Sequence, residues 1–338
     1  MKFYIETIGC QQNEYDASRL SVFLKSFGLT ETTTKEAEVI FILACSVRQT
    51  AVDRVFGRTR NWFKSGKKVY ITACLITEDK KKLEKIGAVY FKDFDELKSI
   101  LELEAVCSQF TTNSCPYIPI MTGCNNFCSY CIVPYTRGRE KSRPTKEIIR
   151  EAKKLISHFS TAQHRSEKLE IMLLGQNVNS YKFGFAKLLK KINDLPGDFE
   201  ISFISSHPKD MKADVIEAIA VLPKVKKEVH LPLQSGSDKI LKMMNRPYTA
   251  EEYLRLVKSI KSKVHQVRLT TDIIVGFPTE TETDFQKTVE LCKKVGFSLA
   301  YINKYSPRKG TAAFKLGDPV SWQEKQSRWK VLNSLINK

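Results

Sequence analysis

A chain of 338 residues, 42% of them hydrophobic, is long enough to bury two separate cores, and it shows neither a leader pattern nor an apolar run long enough to cross a bilayer. Nine cysteines, an odd number, suit a reducing compartment better than a disulfide framework, so the expectation is a soluble, cytoplasmic protein, no membrane partner, and thiols free to bind metal. The formal charge of +18 is uneven: residues 1–110 carry 17 Lys and Arg against 15 Asp and Glu, and the remainder carries 38 against 22, an excess that suits a nucleic acid as well as a lysine-rich solvated surface.

Short apolar strands are predicted at 2–8, 38–44, 68–73 and 88–91, with helices near 14–27, 48–64, 77–86 and 94–102. This alternation predicts an α/β fold whose N-terminal domain is a doubly wound parallel sheet. Cys10, Cys45 and Cys74 follow the first three strands. In an open parallel sheet the strand carboxyl ends share one edge, where ligands bind, so these thiols can meet as metal ligands; buried strand-end cysteines are the other reading. The segment from Ser46 to Lys68 carries Arg48, Arg54, Arg58, Arg60, Lys64, Lys67 and Lys68 with Trp62 and Phe63 among them. Its cations suit phosphate, and its aromatics suit core packing. Residues 103–117, with Cys107, Cys115 and Pro116, lose periodicity. The expected division is 1–110, a connector at 111–117, a second domain at 118–315 and a helical extension at 316–338.

After a strand at Ile118–Thr122 comes Gly123-Cys-Asn-Asn-Phe-Cys-Ser-Tyr-Cys-Ile-Val-Pro-Tyr-Thr-Arg-Gly138. Cys124, Cys128 and Cys131 can converge on one face of a tight loop and bind three irons of a cubane cluster, leaving the fourth iron open. A structural zinc site would close its shell with a fourth Cys or His. A helix opening near Thr145 follows. Strands are then predicted at Leu169–Leu174, Glu200–Ser205, Glu228–Leu233, Val267–Val275 and Ser298–Tyr305, separated by helices that include 211–221, 249–262 and 281–295. Six strands alternating with helices predict a partial (β/α)6 barrel of TIM type, with its reaction face at the strand carboxyl ends. Polar loops fall there: Leu174-Gly-Gln-Asn-Val-Asn-Ser-Tyr181, Ser205-Ser-His-Pro208, His230-Leu-Pro-Leu-Gln-Ser-Gly-Ser-Asp238, Thr271 to Glu280 and Tyr305 to Thr311. Cys292 matches no motif and reads as structural.

The spacing of Cys124, Cys128 and Cys131 resembles that of the radical S-adenosylmethionine enzymes, in which the open iron chelates the amino and carboxylate groups of the cofactor. The resemblance extends to the methylthiotransferases of that superfamily over nearly the whole chain. Gly9-Cys-Gln-Gln-Asn-Glu-Tyr-Asp16, Cys45-Ser-Val-Arg48 and Cys74 stand where that family carries a second, auxiliary 4Fe-4S cluster. Pro134-Tyr-Thr-Arg-Gly-Arg-Glu140, Ser142-Arg-Pro144, Leu174–Tyr181 and His230–Asp238 are most similar to the members that methylthiolate isopentenyladenosine at position 37 of tRNA.

The resemblance implies two [4Fe-4S] clusters, on Cys10, Cys45 and Cys74 and on Cys124, Cys128 and Cys131, with S-adenosyl-L-methionine as cofactor and tRNA as partner. One S-adenosylmethionine would methylate sulfur at the auxiliary cluster, and a second would be cleaved to the radical that abstracts hydrogen from carbon 2 of the adenine. Gly175, Gln176, Asn177, Gln234, Ser235 and Asp272 are the candidates for positioning the cofactor; no protein residue is assigned as catalytic acid or base. The electron and sulfur donors are not identified. The family commonly ends in a small tRNA-binding β-barrel, TRAM, for which this chain has no room after Lys338, so tRNA recognition is expected to rest on the other two domains or on a separate tRNA-binding partner, or not to occur. Ala73 stands where the family often has Gly, and Leu43-Ala44 where it has Asn-Thr. A methylthiotransferase for threonylcarbamoyladenosine or for a ribosomal-protein aspartate, a cluster protein that binds tRNA or a partner without turnover, and a purely structural zinc protein remain alternatives.

Overall fold

The computed structural model describes residues 1–47, 49–103, 116–160 and 168–337; Arg48, Cys107, Cys115 and most of the expected connector lie outside them. The chain forms two compact units, Met1–Tyr117 with Tyr135–Arg137, and Ile118–Pro134 with Gly138–Lys338.

The first unit runs β1 (Lys2–Thr7), α1 (Gln11–Ser26), β2 (Thr30–Glu31), β3 (Val39–Cys45), α2 (Gln49–Lys64), β4 (Lys68–Cys74), α3 (Thr77–Lys85), β5 (Val89–Tyr90) and α4 (Phe94–Ile100). Its sheet is parallel, in the order β2-β1-β3-β4-β5. That is a doubly wound order with its switch point between β1 and β3. β3 is apolar from Val39 to Ala44 because both its faces are covered. Ile40, Ile42 and Ala44 pack with Val55, Trp62 and Ile71. Val39, Phe41 and Leu43 pack with Phe3, Leu20 and Leu24 on the other face, as the two-residue strand period dictates. α2 buries Val52, Val55, Thr59 and Trp62, so Trp62 belongs to the core while Arg54, Arg58, Arg60 and Lys64 are exposed. Lys67 is committed elsewhere: its Nζ donates to the Ala37 carbonyl at 2.7 Å. The edge strand β2, two exposed residues, carries no periodic signal that a sequence reading could find.

From Tyr117 on, the chain runs β6 (Tyr117–Pro119), β7 (Met121–Thr122), α5 (Val133–Thr136), β8 (Lys141–Ser142), α6 (Thr145–Phe159), β9 (Leu169–Leu174), α7 (Phe185–Asn193), β10 (Phe199–Phe203), α8 (Ala213–Val221), β11 (Glu228–His230), α9 (Asp238–Met243), α10 (Ala250–Lys263), β12 (Arg268–Val275), α11 (Glu282–Val295), β13 (Leu299–Lys304) and α12 (Trp322–Ile336), all in the second unit but for Tyr117 and the Tyr135–Thr136 end of α5. Two three-stranded sheets, β10-β9-β6 and β11-β12-β13, continue one another through a parallel bridge from Ile201 to Val225. The result is the partial barrel.

The strand expected at Ile118–Thr122 is divided. Ile120 donates to the Leu174 carbonyl at 2.8 Å, after which Met121 and Thr122 leave β9 to pair antiparallel with β8. Pro119, which has no N–H to give, sits just before this change of partner. The strand predicted to end at Leu233 stops at His230, ahead of Pro232.

Leu169, Ile171 and Leu173 of β9 and Phe199, Ile201 and Phe203 of β10 share one core with α6, α7, α8, α10 and α11. Of the alternate residues, Glu170, Glu200 and Ser202 are polar and half-buried, Met172 is half-buried and Leu174 is buried. Near the amino ends of the strands Lys226 pairs with Glu170 at 2.7 Å, and Arg268 with Glu228 at 3.5 Å. α12 is part of this body: Leu332 enters the core, Trp329 donates to the Ile302 carbonyl at 3.0 Å, and Arg328 meets the buried Glu280 at 2.7 Å.

Candidate metal and cofactor sites

In the first unit β1, β3 and β4 are neighbours, and each delivers one cysteine to the carboxyl edge beside the switch point. Cys10 caps α1, while Cys45 and Cys74 end their strands as direct partners in the parallel register. Cys10 is exposed, Cys45 half-buried and Cys74 buried. Burial pushes the Cys74 thiol up to about 11, against the pull of Arg137. A thiol so reluctant to ionise alone becomes a thiolate when a metal supplies the charge.

Asn13, 1% exposed, holds the loops together. Its Nδ2 donates to the carbonyls of Ile8 (3.4 Å), Leu43 (3.2 Å) and Ala44 (3.0 Å). Gly9 is needed beside it, because a Cβ there would meet Asn13 Nδ2 at 2.3 Å. Ala73, just before Cys74, has φ of +80°, the left-handed region where glycine is favoured. The family's glycine thus marks a real backbone requirement, which this chain meets with strain. From the segment that packs with this unit, Arg137 donates from Nε to Cys74 Sγ at 2.7 Å and from Nη2 to Asn13 Oδ1 at 3.1 Å.

In the second unit Cys124, Cys128 and Cys131 lie on the loop between β7 and α5. Gly123 has φ of +75°, and a Cβ on it would meet the Arg139 carbonyl oxygen at 2.2 Å, so no other residue fits the loop entrance. Cys131 N donates to the Cys128 carbonyl at 2.9 Å, closing the tight turn. The end of α9 and the residues after it hold the loop from outside. Ser129 donates from Oγ to the Met243 carbonyl at 2.7 Å, and Asn245 donates to the carbonyls of Asn126 (3.2 Å) and Phe127 (3.0 Å). The buried Arg246 donates to Cys128 Sγ at 3.6 Å and to the Pro232 carbonyl at 2.7 Å. Burial pushes Cys131 up to about 12 and raises Cys124 as well.

Among the described residues no three Cys, His, Asp or Glu groups close around a point as a single ion requires. Thiols that each take a different iron of a cubane need a wider triangle than ligands of one ion.

The six cofactor candidates divide. Gln176 Oε1, Asn177 Oδ1 and Gln234 Oε1 are buried oxygens without a hydrogen-bond partner, and Gln234 also has φ of +70°. Gly175 lies where a Cβ would meet Met121 at 2.6 Å. Ser235 is turned into the fold, its hydroxyl 3.4 Å from that of Thr288 on α11. The Asp272 carboxylate is 3.0 Å from His230 Nε2, whose Nδ1 meets the Thr270 hydroxyl at 2.9 Å.

Further polar groups join this rim, among them Ser180 and His207 of the loops that the sequence places there. Asn177 donates to Asp210 at 2.7 Å, and Ser180 donates to Glu140 at 2.8 Å. Burial raises the Glu140 carboxyl, and Asp210 adds to the effect. Burial, with Arg246 and Lys209 nearby, pushes His207 down to about 2. Its Nδ1 accepts from Lys209 N at 3.2 Å, which leaves Nε2 as an unpartnered donor. Buried polar atoms normally find partners. Acceptor oxygens on three amides with a neutral imidazole donor fit a ligand bearing an amine, a carboxylate and hydroxyls, as S-adenosylmethionine does. Each triad offers three free thiols, the donor chemistry of an open-site cluster.

Residues 118–292 match the radical SAM superfamily, and residues 2–91 match the uncharacterized protein family UPF0004. The chain is 40% identical over 99% of its length to the tRNA-2-methylthio-N(6)-dimethylallyladenosine synthase of Clostridium tetani, spanning 81% of that protein. It is 39% identical to the synthase of the same name from Thermotoga petrophila, again over 99% of this chain and 81% of the relative. Among solved structures, the radical S-adenosylmethionine methyltransferase TsrM from Kitasatospora setae, with cobalamin and a [4Fe-4S] cluster bound, aligns with a TM-score of 0.68 and 12% identity over 93% of this chain and 77% of that one. The cobalamin-dependent S-adenosylmethionine radical enzyme OxsB aligns with a TM-score of 0.61 and 10% identity over 98% of this chain and 55% of that one. These two likenesses concern the fold.

Proposed function

The chain belongs to the radical S-adenosylmethionine superfamily and, within it, to the family of the tRNA-2-methylthio-N(6)-dimethylallyladenosine synthases, and from that premise we propose that it adds a methylthio group to carbon 2 of N6-isopentenyladenosine at position 37 of tRNA. The observation that carries this reading is the pair of cysteine triads, one at the carboxyl edge of the first unit's parallel sheet and one on the loop between β7 and α5 of the second. Cys10, Cys45 and Cys74 would hold the auxiliary [4Fe-4S] cluster, and Cys124, Cys128 and Cys131 the cluster that binds S-adenosylmethionine. When bound, the clusters and S-adenosylmethionine supply the one-electron chemistry, the methyl group and the sulfur.

The protein's own contribution is orientation. Gln176, Asn177 and Gln234 offer acceptors to the cofactor, and His207 a neutral donor. Asp272 acts at one remove, holding His230, and Ser235 fixes its loop against α11. We assign residues 1–110 to the auxiliary-site domain, 111–117 to a connector, 118–315 to the radical core and 316–338 to its helical extension.

The substrate side follows from the same premise. The partner is tRNA, met by the basic excess after residue 110. Among the described residues no helix is long and apolar enough to cross a membrane, and a cytoplasmic location is part of the proposal.

Mass spectrometry of tRNA nucleosides from cells lacking their own methylthio enzyme tests the reading. Expression of the chain should yield 2-methylthio-isopentenyladenosine, and the Cys10→Ala and Cys124→Ala forms should not. A methylthio mark on threonylcarbamoyladenosine instead, or none from protein carrying both clusters, would overturn it.

A further inference from the structure

Asn13 and Arg137 between them touch the end of each cysteine-bearing strand in the first unit. Asn13 binds the carbonyls of Ile8, two residues before Cys10, and of Leu43 and Ala44, just before Cys45. Its Oδ1 accepts from Arg137, which in turn donates to Cys74 Sγ at 2.7 Å. Asp16 stands 3.6 Å from the same guanidinium, whose side chain is only 14% exposed. Aiming a desolvated guanidinium at a neutral thiol gains little, because sulfur in that state is a weak acceptor. Aimed at a metal-bound thiolate, the same contact is charge-assisted.

We propose that the Asn13–Arg137 pair is a positioning device for the auxiliary cluster: it fixes the Cys74 sulfur relative to Cys10 and Cys45 and draws the cluster's reduction potential to more positive values. The inference rests on the reading that these three cysteines hold a [4Fe-4S] cluster. Potentials of such clusters respond to net charge and to hydrogen bonds on the sulfurs. An added electron places negative charge on the sulfurs, and a fixed cation beside one of them stabilises the reduced form.

The test uses the full chain with Cys124→Ala, Cys128→Ala and Cys131→Ala, so that one cluster remains. After reconstitution with iron and sulfide, three quantities are read: iron per chain, the rate at which a chelator removes it, and the potential at which dithionite supplies the electron that takes the cluster from 2+ to 1+, followed by electron paramagnetic resonance. Arg137→Met should release iron several-fold faster and titrate at a more negative potential. Arg137→Lys retains the charge without the planar fork, and should recover part of the potential but not the retention. The melting temperature of the cluster-free protein should move little in either, which a merely structural role would not allow. Wild-type release and potential in Arg137→Met would overturn the proposal; if that variant fails to fold, the same result in Arg137→Lys would do so. If the parent triple variant binds no iron, it is the assignment of Cys10, Cys45 and Cys74 that fails, and the inference goes with it.

Discussion

Arg246 and Cys128 are 118 residues apart in sequence and 3.6 Å apart in the fold, joined by a hydrogen bond from the guanidinium to the sulfur. The other ends of that guanidinium hold the Pro232 carbonyl and the Tyr248 hydroxyl, each at 2.7 Å. Outer-shell partners of metal ligands typically carry ten- to hundred-fold effects. Arg246→Met is therefore expected to lower reductive cleavage of S-adenosylmethionine by about ten-fold or more, measured as 5'-deoxyadenosine formed in the absence of tRNA. Cleavage at the wild-type rate would show that Arg246 serves packing alone.

Ala73 is held at φ of +80° directly before a candidate ligand. A residue with a Cβ gives up roughly 1–2 kcal/mol in that region. Ala73→Gly should raise the stability of the cluster-free protein by about 1 kcal/mol, less the extra chain entropy that glycine loses on folding. Denaturant unfolding measures it, and no gain would mean that the turn is unstrained.

The Arg328–Glu280 pair is buried on both sides, 3% and 1% exposed, and ties α12 to the loop after β12. Glu280 also accepts from Gly276 N at 2.6 Å. Removing one partner of such a pair leaves the other charge buried, at a cost of about 3–5 kcal/mol. Arg328→Ala should lower the unfolding free energy by that order, and a change within 1 kcal/mol would show that Glu280 finds water or a proton instead.

Asp284 makes a pH prediction. Burial works against its charge, but hydrogen bonds from Ser237, from Thr281 and from Lys239 hold its carboxyl well below the usual range. A depressed folded value gives stability that is complete above the unfolded value of about 3.9 and is lost as pH falls below it toward the folded one. Asp284→Asn should cost about 2 kcal/mol at neutral pH. The gap between the two proteins should narrow below about pH 4. Unfolding curves across that window check it, and a constant gap would refute the linkage.

Lys146, Arg150, Lys153 and Lys154 of α6 and Lys191 of α7 line a groove of about 620 Å3 with no carboxylate among the described residues of its wall. With Lys153→Glu and Lys154→Glu together, tRNA binding should weaken and the slope of log affinity against log salt should flatten by about 2. Unchanged affinity would place the RNA elsewhere, for instance on the exposed Arg54, Arg58 and Arg60 of α2.

Much of this was legible in the sequence where the signal is local. The unbroken apolar run Val39–Ala44 announces a strand covered on both faces, and the strand-end positions of Cys10, Cys45 and Cys74 follow from the parallel topology. The backbone demand at Ala73 was visible as a departure from the family's glycine. The arginines on the sulfurs were not, since Arg137 reaches Cys74 across 63 positions and no periodicity encodes such a contact. The inward turn of Ser235 also escapes a loop motif, because its partner Thr288 lies on another helix.

The two triads differ in what brings them together, and that difference governs when each can capture iron. Cys124, Cys128 and Cys131 are close neighbours along the chain, so even an unfolded polypeptide is a chelating peptide there. Cys10, Cys45 and Cys74 become a donor set only when β1, β3 and β4 have docked side by side. Iron held at the dispersed site would therefore bind the native state alone, and its binding free energy would add in full to the stability of the first unit. Iron at the local site is shared with the denatured chain and adds less. Unfolding of the first unit would then release its cluster, whereas the second loop would keep a grip on its metal through partial denaturation.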